Sequence, residues 1–284
     1  MSLRFDRAGS LYFAAPLLGL LPGRRGGKIP ILMYHSVADE DESALHPYYW
    51  IATGPAQFLE QMTWLNEHGY RTASLASAMG LLQAGGGTVD KTVVITFDDG
   101  YRNFYEQAFP ALERFGFTAT MFLPTASIGD QPQVFNRREC MTWAEVREMQ
   151  QRGISFGSHT VTHPQLHGLS RERIREEILQ SRQTIEEKTG CPVDTFAYPY
   201  AFPQTDEPFR KMLRDILEEN GVRHGVCTQI GRADVASDPL FLERLPMNGG
   251  DDPALLRAKM AGAYDWVGGV QSLAKRLRRP GTKA

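Results

Sequence analysis

Two adjacent carboxylates, Asp98 and Asp99, close the apolar run TVVITFDDG (92–100), and two histidines, His159 and His163, stand four residues apart just after GISFGS (153–158). Close carboxylates raise each other's pKa unless a cation neutralises one, so the pair predicts a nearby metal ion. Alternation along a strand would point the two side chains to opposite faces, and Gly100 frees the backbone to bring both to one cavity. The i, i+4 spacing of His159 and His163 places two imidazoles on one face of a helical turn, where they can grip a single ion. With Asp99 they offer two nitrogens and one oxygen, which leaves the fourth position of a zinc tetrahedron open for water. Asp98 is then available as a general base, because zinc lowers a bound water's pKa to about 7 and a neighbouring carboxylate can complete the deprotonation. The bland alternatives are a solvated Asp-Asp-Gly turn and histidines satisfied within a core.

Such residues need strand ends to bring them together. Short apolar runs at 29–37, 92–99, 118–124, 154–159, 195–200, 224–230 and 241–247 have the β-branched, nearly continuous apolarity of parallel strands covered on both faces. Helical patterns fill 56–68, 103–115, 142–152, 170–188 and 208–220. Thr142 with Glu145 reads as a capping box, Ser170 as an N-cap, and Gly69, Gly116, Gly153, Gly190 and Gly221 each follow a helix where a left-handed residue is needed. Strand, helix, glycine, strand in repetition predicts an α/β fold, a distorted or incomplete (β/α)7 barrel with its chemistry at the carboxyl ends of the strands. One barrel domain over 29–265 is expected, preceded by an apolar or amphipathic helix and linker over 1–28 and followed by a basic tail over 266–284.

The balance of 31 Lys and Arg against 33 Asp and Glu removes any electrostatic reason for a nucleic-acid partner. Cys140, Cys191 and Cys227 are odd in number and far apart, so free buried thiols are expected and no disulfide framework. LYFAAPLLGLL (11–21) has the apolarity of a secretory signal but is short for a bilayer span and lacks a small-x-small cleavage site. It reads as an uncleaved helix packed on the domain or resting on a membrane face. A cytoplasmic or inner-membrane peripheral location follows, with a secreted or periplasmic one open. The run KRLRRPGTK (275–283) reads as a solvated terminus or as a contact for anionic lipid or polymer.

TFDDG and SHTVTH, in that order, resemble the first two motifs of the NodB-homology polysaccharide deacetylases, carbohydrate esterase family four. The resemblance implies a NodB-type barrel in which Asp98 is the base and Asp99, His159 and His163 hold a divalent metal, zinc by preference. The family's third motif is Arg-x-Pro-Tyr. FAYPYA (196–201) supplies Pro199 and Tyr200 but has Ala197 where the arginine belongs. The resemblance gives the Tyr200 backbone N–H the task of binding an oxyanion, and Arg244 in LERLPM could replace the missing arginine. The family's late Leu-x-His histidine is absent after residue 224. His35 in ILMYHSV instead resembles the early acid histidine of the permuted poly-N-acetylglucosamine deacetylase branch. Tyr48 and Trp50, as flat faces for sugar rings, join Pro199 and Arg244 as candidate substrate contacts. The implied activity is metal-dependent removal of N-acetyl groups from an N-acetylated sugar, in a bacterial poly- or oligosaccharide or its lipid-linked precursor, with release of acetate. The implied partners are that glycan and, peripherally, a membrane. An O-acetyl ester or small amide on the same metal site, and a carbohydrate-binding protein without turnover, are the rival readings.

Overall fold

All seven apolar runs become strands: β1 (Ile31–Tyr34), β2 (Thr92–Phe97), β3 (Thr120–Leu123), β4 (Ser155–Ser158), β5 (Thr195–Ala197), β6 (His224–Ile230) and β7 (Leu242–Pro246). The computed structural model describes residues 4–19, 27–84 and 89–277. Every residue of β1, β2 and β3 is buried, as strands covered on both faces must be. Each strand lies parallel to the one before it, and β7 pairs with β1 through Leu245↔Leu32, so the sheet closes on itself. The barrel is therefore closed rather than incomplete. Its distortion is a register shift between β6 and β7, from Val226 to Ile230.

The five expected helices form as α2 (Pro55–Glu67), α4 (104–114, opening as a π-helix over Phe104–Ala108), α5 (Trp143–Gln151), α6 (Arg171–Thr189) and α7 (Glu207–Glu219), with α1 (5–19) ahead of them. The capping box of Thr142 and Glu145 is made, and Ser170 accepts from the Arg173 N–H. Gly69, Gly116, Gly153, Gly190 and Gly221 all have positive φ, so each chain reversal stands where a side chain would be strained.

Three helices go beyond the expectation. Helix α3 (Leu75–Ala84) buries Leu75, Ala78, Met79 and Leu82, a 3–4 spacing hidden in a small-residue run. Helices α8 (Pro253–Ala261) and α9 (Trp266–Leu277) follow the last strand. The basic tail expected from 266 is thus a docked helix up to 277. The Gln271 side chain bonds the Ile230 N–H and the Thr228 carbonyl, and Val267 packs on the core. The sequence-level charge of 275–279 concealed that apolar stripe.

Helix α1 packs Leu11, Ala14, Ala15 and Leu18 against the core, and ties to the far end of the chain through Arg7–Asp252, Tyr264–Asp6 and the Trp266 indole on the Ser10 hydroxyl. No helix among the described residues is long and apolar enough to cross a membrane.

Beneath the mouth, Phe97 stacks on Tyr34 at 5.2 Å and meets Phe104 edge-on at 4.6 Å. Fully buried aromatics contribute about 1.5–3 kcal/mol each, so β2 ends on a rigid floor before its two carboxylates.

Candidate active site and metal centre

The carboxyl ends of β1, β2, β4 and β5 deliver His35, Asp98 with Asp99, His159 and Tyr200 respectively, while Arg244 projects from within β7. Asp99 and Gly100 have φ of 75° and 68°, so the chain leaves extended geometry as soon as β2 ends, with Asp98 beside His35 and Asp99 beside His159 and His163. At Gly100 a Cβ would press on Ile128 at 2.8 Å, which excludes larger residues on space as well as on backbone angle.

Asp99 Oδ1 lies 3.7 Å from His159 Nε2 and 3.5 Å from His163 Nε2, and the two imidazole nitrogens are 3.1 Å apart. A zinc tetrahedron with bonds of about 2.0–2.1 Å has edges of about 3.3–3.4 Å, within the range of these three separations. The three ligand atoms are buried and mutually within 4.8 Å. His159 Nδ1 lies 2.8 Å from the Ala197 carbonyl, which fixes Nδ1 as the protonated nitrogen and leaves Nε2 as a lone pair. Facing lone pairs at 3.1 Å repel unless a cation or a shared proton lies between them. The donor set thus fits a divalent cation.

The physical reason for the histidine spacing differs from the expected helical turn. Residues 159–163 form a loop, with Thr160 and His163 at φ of 69° and 53°. Glu177 holds that loop from α6: its carboxylate accepts from the Val161 and Thr162 N–H groups at 2.8 and 2.9 Å and from the Thr162 hydroxyl at 2.8 Å. Asp99, Thr160, His163 and Tyr200 all have left-handed backbones, a conformation costing on the order of 1–3 kcal/mol each for such residues. The surrounding hydrogen bonds and packing offset that strain.

Arg244 is fully buried and donates from both Nη atoms to the two Asp98 oxygens at 2.7 Å, from Nε to the Cys227 carbonyl and from Nη1 to the Thr96 hydroxyl. Burial pushes the Asp98 carboxyl up, but the Arg244 guanidinium overcomes it and holds Asp98 well below the usual carboxylate range. Asp99 lacks such a partner. Burial, and then the Asp98 charge, raise it to about 7. Burial also lowers His35 and His159 to about 4 and His163 to about 3, so all three are neutral near pH 7. His35 Nε2 stands 3.9 Å from Asp98 Oδ2.

Two expected substrate contacts are corrected. Arg244 has no exposed surface and touches Asp98 instead, and Pro199 is buried beneath the turn that presents Tyr200. Trp50 is half-buried and its indole donates to the Leu45 carbonyl; the Tyr48 side chain lies outside the described residues. Tyr200 is 53 % exposed with its ring 4.6 Å from that of His163, and its backbone N–H has no acceptor among the described residues. Cys140 and Cys227 are buried as expected, whereas Cys191 is exposed.

Residues 85–224 match the family model described as Polysaccharide deacetylase, a stretch that contains Asp98, Asp99, His159, His163 and Tyr200. Over those residues the chain matches a polysaccharide deacetylase domain. Over 223 residues it is 29% identical to the putative polysaccharide deacetylase YxkH of Bacillus subtilis, covering 78% of this chain and 72% of that one. Over 154 residues it is 34% identical to the poly-beta-1,6-N-acetyl-D-glucosamine N-deacetylase of Escherichia coli K12, 51% of this chain but only 22% of that protein's length. The chain superposes on the Streptococcus pyogenes deacetylase PplD, solved with acetate, at a TM-score of 0.71 with 27% identity, covering 82% of this chain and 98% of that one. IcaB from Ammonifex degensii shares the fold at a TM-score of 0.70 and 23% identity, over 83% of this chain and 98% of that one.

Sequence reasoning missed several supports of the deacetylase site. Glu177 was detectable as the one carboxylate on the apolar stripe Ile174, Ile178, Ser181 and Ile185 of α6. Phe135 closes the wall beside His163, with ring centroids 5.3 Å apart. Arg138 bonds Glu40 and reaches Glu42, joining the Phe135 hairpin, in which Val134–Phe135 pairs antiparallel with Arg138–Glu139, to the loop after His35. Neither the hairpin nor that ion pair has a local signature.

Proposed function

We propose that this protein hydrolyses the N-acetyl group of an N-acetylated hexosamine in a bacterial glycan, of the poly-β-1,6-N-acetylglucosamine type, releasing acetate and leaving a free amine. The observation carrying this reading is the pairing of an ionised, hydrogen-bonded Asp98 with a three-ligand site one residue away, at the carboxyl ends of the barrel strands. The family match and the relatives named above supply the glycan.

Zinc bound by Asp99, His159 and His163 would supply Lewis acidity to the carbonyl and to the attacking water; two imidazoles and one carboxylate suit that ion. Asp98 accepts the proton that water loses. Arg244 holds both Asp98 oxygens in place and keeps the carboxylate ionised before substrate arrives. The Tyr200 N–H points charge density at the oxygen that turns negative as the carbonyl becomes tetrahedral. His35 is neutral at rest, so it gains its proton during turnover; Asp98, 3.9 Å away, hands it on, and His35 delivers it to the departing nitrogen. The balance is water plus acetamide to acetate plus the protonated amine, the second proton passing from the acetic acid to the amine as the products part, with no proton left on the enzyme.

The test is acetate release from N-acetylglucosamine oligomers, with acetylxylan as the ester comparison, before and after metal stripping and zinc reloading. Release from the oligomers alone, lost on stripping and restored by zinc, is expected. Sugar binding without acetate from the zinc-loaded protein would overturn it.

A further inference from the structure

Helix α1 has no charged residue from 8 to 19, yet only one side of it is covered. Phe5, Tyr12, Phe13 and Leu17 are 60–76% exposed on the other side. A helix apolar around its circumference and packed on one face leaves the second face in need of an apolar medium. Against it lies α9, whose Trp266 ring meets Gly9 and whose Val270 and Leu273 are also exposed. Between the two helices runs a cleft of about 660 Å³ lined by Phe5, Tyr49, Val267 and Val270. The last turn of α9 opens the segment 275–284, which passes outside the described residues at 278 and holds five basic side chains and no acidic one in a chain of net charge −2; four of the five remain besides Lys275, which bonds the barrel.

We propose that the paired terminal helices are a docking face for an anionic phospholipid bilayer, with the aromatic and aliphatic side chains in the acyl boundary and the C-terminal basic cluster on the headgroups. A second copy of this chain is the poorer occupant, since each copy would bring the same excess of basic side chains at 275–284 and no acidic partner for it within that segment. The face also borders the barrel mouth. Lys275 donates to the Phe202 carbonyl and to Gln204, in the loop that follows Tyr200, and the cleft extends to His46 after β1 and to Pro246 and Asn248 at the end of β7. Docking would hold the open end of the barrel beside the lipid surface, where glycan attached to or emerging from the membrane is presented.

The full chain is spun down with vesicles of phosphatidylcholine, alone or mixed in equal parts with phosphatidylglycerol. At least about tenfold more protein should pellet with the mixed vesicles, and about 0.5 M salt should remove most of that excess. The double variant Phe13→Ser with Leu273→Ser should lose the same tenfold while keeping its thermal melting curve; Val235→Ser, another exposed apolar side chain, should bind like wild type. Equal sedimentation with both vesicle types, unchanged binding of the double variant, or a dimer in light scattering that the double variant dissolves, would overturn the proposal. No turnover is measured, so the result stands apart from the deacetylase reading.

Discussion

Arg244 grips Asp98 across the barrel, with two bonds of 2.7 Å joining a guanidinium on β7 to the carboxylate that follows β2. The position where the family pattern has arginine is Ala197, whose carbonyl orients His159 instead. Arg244 thus supplies from β7 the guanidinium that position 197 lacks.

Arg244→Ala leaves a buried carboxylate without its partner and is expected to destabilise the fold by about 3–5 kcal/mol near neutral pH, read from denaturant unfolding. Asp98 in the folded state lies below its unfolded value near 3.9, so the stabilisation is complete above that pH and is lost as pH falls through the folded value. The gap between wild type and variant should accordingly narrow in acid. A gap that widens as pH drops would show that Arg244 does not act through Asp98.

Asp98→Asn and Asp99→Asn, one residue apart, should fail in different ways. The first is expected to lower acetate release by about 10²–10⁴-fold with full metal content, because only the proton acceptor is gone. The second should lose bound metal and activity together. Metal analysis beside the rate separates them, and loss of metal in Asp98→Asn would contradict the division of labour.

The strands, five of the helices and the three ligand residues were legible in the sequence because each rests on a local signal: continuous apolarity, a cap, a glycine, a pair of histidines. The reason given for the histidine pair was wrong, since spacing of four is shared by a helical turn and by the left-handed loop that Glu177 pins. Arg244 was legible from its place at the end of a strand as a replacement for the missing arginine; its bidentate contact with Asp98 spans 146 positions and depends on closure of the barrel. Helix α9 and the Phe135 hairpin are set by what they pack against, which composition does not record.

Tyr200 is expected to act through its backbone. The side chain is largely exposed and φ is 58°, so Tyr200→Gly keeps both the N–H and the turn and should retain acetate release within about tenfold. Tyr200→Pro removes the donor and forbids the angle. It should cost at least about 10²-fold in kcat, comparable with loss of an oxyanion donor. Equal losses in the two variants would assign the role to the ring against His163.

Metal binding should be linked to one proton rather than three. His159 at about 4 and His163 at about 3 are already neutral above pH 5, so neither needs to lose a proton to coordinate. Asp99, raised to about 7 by burial and by the Asp98 charge, must lose one. Zinc affinity of the stripped protein is therefore expected to climb about tenfold per pH unit between roughly pH 5 and 7 and to level off above that, as the carboxyl becomes ionised before the ion arrives. Calorimetry in buffers of different ionisation enthalpy reads the proton count directly. Release of two or more protons per zinc near pH 6 would mean that the histidines are charged in the free protein. Release of none would mean that Asp99 is ionised without the ion, and the case for a carboxylate kept protonated until metal arrives would fall.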